Sequence, residues 1–255
     1  MIGDSHAAAL KIGWTAIQRE FPETQLVFFA SGANSMQGLT VSAGYLIPSE
    51  PVLRQRIVQS SGGREAIAND FAGYILCGLG FAPARAVHLS EAYRVESSYR
   101  DSRCPISDEC FQYAVEGILR RSLATETLLK LREITPAPIA VIASPMRSET
   151  DPYPIFPVPE QAQESGHENQ IAALFVSAAY RVAQELDFKF FPQPTITLKS
   201  PLYTRELYSR AANIKPHETV LDSHHIHMNG KYGSEVLRSI LTDFPAKDPT
   251  SQTRG

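Results

Sequence analysis

No run in this chain approaches the roughly 20 consecutive apolar residues that a membrane-spanning helix requires, so a bilayer span is not expected. Cysteine is scarce. Cys77, Cys104 and Cys110 are the only three, too few for a disulfide framework, although Cys104 and Cys110 could pair across their loop. Neither sign of charge dominates: the formal net charge is −3, which leaves no basic footprint for nucleic acid. The start of the chain also lacks the charged residues and apolar stretch of a secretory signal. Cytoplasm is therefore the expected location. Only Met1 and Ile2 precede the first turn, whereas a strand normally has about five residues. Either the first strand is a stub or the chain begins late, in which case a signal could have been lost with it.

What is present is ordinary for a globular α/β protein. At 255 residues with 43% hydrophobic and 20% charged content, the chain can bury a substantial core. Short apolar runs bounded by turn residues alternate with helical periods. Gln25–Ala30, Phe71–Leu79, Ile139–Ala143 and Phe188–Phe191 read as buried strands; Leu10–Phe21, Pro51–Ser60, Cys110–Ile134, His167–Leu186, Arg205–Ile214 and a closing segment to Phe244 read as helices. Ser31–Ser49 and Gly80–Pro105 have no clear period and read as loops, the second rich in Arg and Tyr (Arg85, Tyr93, Arg94, Tyr99, Arg100, Arg103) and suited to sugars or anions. The Pro-rich run Pro152–Pro159 excludes helix and central strand. This alternation predicts a three-layer α/β/α sandwich on a mostly parallel sheet. Residues 1–244 read as one domain and 245–255 as a polar, disordered tail, with no internal repeat or linker.

Two segments carry chemistry. Ile2-Gly3-Asp4-Ser5-His6 places Ser5 at a strand-to-helix turn, at the carboxyl end of a strand, where open α/β sheets bind ligands. Free N–H groups at the helix start there can stabilise an oxyanion. A serine hydroxyl needs a base within hydrogen-bond reach and a group to orient that base. Near the other end, Asp222-Ser223-His224-His225-Ile226-His227-Met228-Asn229 supplies both residue types.

These two blocks resemble those of the SGNH (GDSL-type) hydrolase family, in its Gly-Asp-Ser-His form. The resemblance implies a flavodoxin-like five-stranded sheet and a catalytic Ser5, with Asp222 as carboxylate and His225 as base at the family's Asp-x-x-His spacing. His227 is the alternative base, because His227-Met228-Asn229 is similar to a His-x-Asn ending found in some members. The family's Gly-x-Asn block is incomplete: Gly78-Leu79-Gly80 has glycine where asparagine is expected. Gly32, Gly78 and Asn34 are then the candidates for oxyanion binding beside the Ser5 N–H. The implied activity is hydrolysis of a small O-acyl or O-acetyl ester, acylated carbohydrate above all, with no cofactor and no metal. A sugar hydroxyl in place of water would make the same site an acyltransferase.

Other readings stay open at this level. Asp4-Ser5-His6 and His225-Ile226-His227 superficially resemble the first and last motifs of metallophosphoesterases, without that family's intermediate blocks. A domain that kept the fold and lost catalysis would bind sugar or act in assembly. His6 and His167 read as solvent or cap residues, Cys77 as core, and Gly78 and Gly80 as turn formers.

Overall fold

The computed structural model describes residues 1–95, 104–151, 166–214 and 221–244. The Pro152–Pro159 segment, Tyr99, Arg100, Arg103 and the tail from Pro245 lie outside the described residues. Five strands, β1 (Ile2–Gly3), β2 (Phe29–Ala30), β3 (Tyr74–Cys77), β4 (Ile139–Ile142) and β5 (Lys189–Phe191), form one sheet in the order β2-β1-β3-β4-β5. Every pairing in it is parallel. This is the flavodoxin-like order, with the topological switch between β1 and β3.

Alternation along the strands sends successive side chains to opposite faces, and each face has its own core. On one side Ile75, Cys77, Ala140, Ile142 and Phe191 pack beneath Leu10 and Ile17 of α1 (Ala7–Ile17) and Val236, Leu237 and Ile240 of the carboxyl-terminal helix Gly230–Asp243. On the other, Ile2, Leu76, Val141 and Phe190 are covered by α2 (Pro51–Ser61), α3 (Ala84–Ala92), α4 (Asp108–Arg120), α5 (Leu123–Ile134) and α6 (His167–Glu185). A short helix, α7 (Asp222–Ile226), precedes the carboxyl-terminal helix, α8 (Gly230–Asp243). The molecule is thus a three-layer α/β/α sandwich. Among the described residues no helix is long and apolar enough to cross a membrane.

Several local expectations change. The run expected as one helix over Cys110–Ile134 is two, because Ser122 ends the first and caps the second by accepting from the Thr125 N–H. Such a side-chain acceptor satisfies an otherwise orphan donor. The region expected as a loop over Ser31–Ser49 contains a 3-10 turn, Ala33–Gly38, and a hairpin of Leu39–Ser42 with Tyr45–Pro48. Its turn residues Ala43 and Gly44 both have positive φ, which matches strand twist in a two-residue turn. Within Gly80–Pro105 the chain forms α3 and the strand Tyr93–Val95. In place of a helix over Arg205–Ile214 there are two 3-10 turns, Glu206–Tyr208 and Ala211–Asn213. Cys104 and Cys110 are exposed free thiols, so the pairing considered for them is not formed. Cys77 is buried, and burial raises its thiol pKa.

Candidate active site

Ser5 lies two residues after the end of β1 and two before the start of α1, placing it beside the switch between β1 and β3. Asp4 holds this turn. Its Oδ1 accepts the His6 N–H at 3.0 Å, and its Oδ2 accepts the Leu79 N–H at 2.7 Å from the loop after β3. That loop has three successive residues in the left-handed region, Gly78, Leu79 and Gly80. For a leucine this conformation costs about 1–3 kcal/mol. It is held by complete burial of the side chain, by the bond to Asp4, and by the Ala124 N–H donating to the Leu79 carbonyl. Gly78 is required there on two counts: its φ is +72°, and a Cβ would fall 2.6 Å from the Asp4 carboxylate.

The side chain that reaches Ser5 is His227. Its Nε2 lies 2.9 Å from Ser5 Oγ, while its Nδ1 lies 2.8 Å from the Ser223 backbone carbonyl. A carbonyl only accepts, so Nδ1 carries the proton and Nε2 presents its lone pair to the serine hydroxyl. The tautomer needed for a general base is therefore set by main chain, one turn earlier. His225, the base expected from the Asp-x-x-His spacing, is directed elsewhere. It is buried, its Nδ1 lies 3.4 Å from Thr150 Oγ1, and its carbonyl accepts the Ser148 N–H, fastening α7 to the segment after β4. The side chain of Asp222 lies outside the described residues.

Asn229, third in His227-Met228-Asn229, is a clamp. Its Oδ1 accepts the N–H groups of Lys231 and Tyr232, capping α8, and its Nδ2 donates to the Leu207 and Ser209 carbonyls. The candidates for oxyanion binding separate in the same way. The Gly78 N–H donates to the Ile142 carbonyl at 3.2 Å and is committed to the sheet. The register Gly3↔Ala30 and the bond from the Ser31 N–H to the Gly3 carbonyl bring Gly32 alongside the Ser5 turn. Neither the Ser5 N–H nor the Gly32 N–H donates a hydrogen bond among the described residues. Asn34 is exposed in the 3-10 turn.

Helices α1 and α8 tie the two halves of the site together. Their backbones touch: a Cβ on Gly233 would sit 2.0 Å from the Ala9 carbonyl oxygen, and one on Gly13 would sit 2.4 Å from the Ser234 nitrogen. His6 stacks obliquely beside His227 with ring centroids 5.5 Å apart, and its buried Nδ1 has no partner among the described residues. Burial lowers its pKa, the nearby Asp4 charge opposing and His227 adding to the effect. His167, also read as a solvent or cap residue, is buried.

Ser5 and His227 open into a hollow of about 410 Å³, a size typical of small-molecule sites. Its wall includes His224, from the histidine block, and Ile12, Arg210, Asn213 and Ile214, which carry no functional signal in the sequence. A larger hollow of about 670 Å³ lies at the opposite end of the sheet, beside Ile139 and Lys189, and its described lining holds no serine, cysteine or histidine. Among the described residues no three His, Cys, Asp or Glu side chains are grouped so as to hold a metal ion. Compared with known proteins, the chain matches no family model, no curated protein and no solved structure.

Proposed function

We propose that this protein is a serine-dependent ester hydrolase of SGNH type acting on small O-acyl esters, with acylated carbohydrate as the substrate class. The observation that carries the reading is the 2.9 Å hydrogen bond between Ser5 Oγ and His227 Nε2, with Nδ1 held by the Ser223 carbonyl. In the proposed reaction, Ser5 Oγ attacks the ester carbonyl carbon as its proton passes to His227 Nε2. The Ser223 carbonyl keeps the imidazolium oriented. The Ser5 and Gly32 N–H groups are the donors available to the oxyanion. Collapse of the tetrahedral adduct breaks the bond to the alcohol, which leaves with the proton from Nε2. Water activated by the same nitrogen then releases the acyl group and restores Ser5; a sugar hydroxyl in that position gives acyl transfer.

The test is hydrolysis of p-nitrophenyl acetate in the presence of EDTA. Ser5→Ala and His227→Ala are each expected to lower kcat by at least about 10³-fold, with His225→Ala much less affected. Equal, small losses in the two histidine variants would refute the assignment. Activity abolished by EDTA in the wild type would turn attention to a metal, and folded protein with no activity would favour a binding role for the fold.

A further inference from the structure

Among the described residues that line the Ser5 hollow, Arg210 is the one with a permanent charge, and none is an aspartate or glutamate. Other arginines of the fold are ion-paired, as Arg120 is with Glu116 and Glu185 and Arg238 with Glu20 and Glu235. The Arg210 side chain is exposed and makes no ion pair or hydrogen bond to any described residue.

Its backbone, in contrast, is fixed to the reactive pair. The Arg210 N–H donates to the carbonyl of His227 at 2.9 Å, Ser209 bridges to Met228, and the Asn229 N–H and side chain bind the carbonyls of Tyr208, Leu207 and Ser209. The stem of Arg210 therefore has a defined place relative to Ser5 while its guanidinium has no partner among the described residues. A guanidinium is always charged and its planar fork matches an oxyanion group with two parallel N–H donors. The hollow also lies at the amino ends of α1 and α8, whose backbone dipoles add a positive field.

We infer that Arg210 is a specificity residue and that the site takes an ester bearing a carboxylate or phosphate, held by this guanidinium. The inference rests on the esterase reading for its substrate, but anion recognition is separable from turnover. Binding of 4-acetoxybenzoate and of its neutral methyl ester is measured by calorimetry on the Ser5→Ala protein, with and without Arg210→Gln. A parallel series uses 4-acetoxyphenyl phosphate and its neutral dimethyl ester, so that the two oxyanion types are compared directly. At least one anionic ester should bind tenfold or more tightly than its neutral counterpart, weaken with added salt, lose that preference in Arg210→Gln and recover part of it in Arg210→Lys. Equal affinity for anionic and neutral esters, an Arg210→Gln protein that keeps the preference, or no binding of either anion would overturn the inference. In the Ser5-containing protein, the ratio of kcat/KM for anionic over neutral ester should fall by the same factor. Absence of turnover alongside Arg210-dependent binding would reject the esterase reading and leave anion recognition standing.

Discussion

Replacing Gly233 with alanine adds one methyl group where the structure has no room for it. The new Cβ would lie 2.0 Å from the Ala9 carbonyl oxygen, 2.5 Å from its carbon and 2.9 Å from Leu10 Cα, whereas ordinary contact begins at 3.4 Å. All three atoms are backbone, so no side-chain rotation relieves the clash. Helices α1 and α8 would have to separate by about 1.4 Å, and overpacking of this kind costs about 1–3 kcal/mol. Against this stands only the helix-propensity gain of roughly 0.8–1 kcal/mol for Gly→Ala. The displacement reaches the site directly, because α1 begins two residues after Ser5 and α8 three residues after His227. A 2.9 Å hydrogen bond stretched by even half of that is no longer one, and a misplacement of about 1 Å can lower turnover by about 10²-fold. Gly117→Ala is the control: it is also within a helix, but the nearest atom to its added Cβ is 4.0 Å away. The assays are thermal melts and p-nitrophenyl acetate hydrolysis. The control should melt higher and hydrolyse normally, and Gly233→Ala should melt lower and lose most of its activity. A Gly233→Ala protein as stable and active as the control would refute the packing of α1 on α8 described above.

Gly78→Ala should destabilise by roughly 2 kcal/mol or more, from strain at positive φ together with the clash on Asp4, and equilibrium urea unfolding measures it. Asn229→Ala removes a helix cap and two bonds to backbone carbonyls, that of Ser209 buried, for an expected loss of about 2–4 kcal/mol by the same method; a loss below about 1 kcal/mol would contradict the clamp. His6 has a folded pKa below its usual value of 6.5, so the unfolded chain binds its proton more readily. Its contribution to stability is therefore full above pH 6.5 and is lost as pH falls through the lower folded value. Urea melts between about pH 8 and pH 5 should show a shallower acid loss in His6→Gln than in wild type, and parallel curves would show that His6 is not held neutral in the fold.

Part of this protein could be read from the residues in order. Apolar runs of four to nine residues bounded by turn residues, alternating with helical periods, are local signals of a parallel α/β sheet, and the structure has that sheet. The Gly-Asp-Ser turn before a helical period likewise placed Ser5 at a strand end, because turn and cap chemistry act over three or four residues. The break at Ser122 and the Ala43-Gly44 turn were also local, but each was masked by neighbours that fit a longer helix or a polar loop. The choice between His225 and His227 was different in kind. The two differ by two positions, and which one meets Ser5 depends on where α7 stops and on how α8 is pressed against α1 through Gly13 and Gly233. Arg210 had no sequence signal, since its place in the hollow follows from the hydrogen bonds that tie its segment to His227 and Asn229, about 20 residues later. Sequence therefore determined the layers and the turn that carries Ser5, where interactions are short in range. Tertiary packing decided which histidine meets Ser5 and what walls the hollow, because those depend on distances between segments far apart in the chain, 222 residues apart for Ser5 and His227.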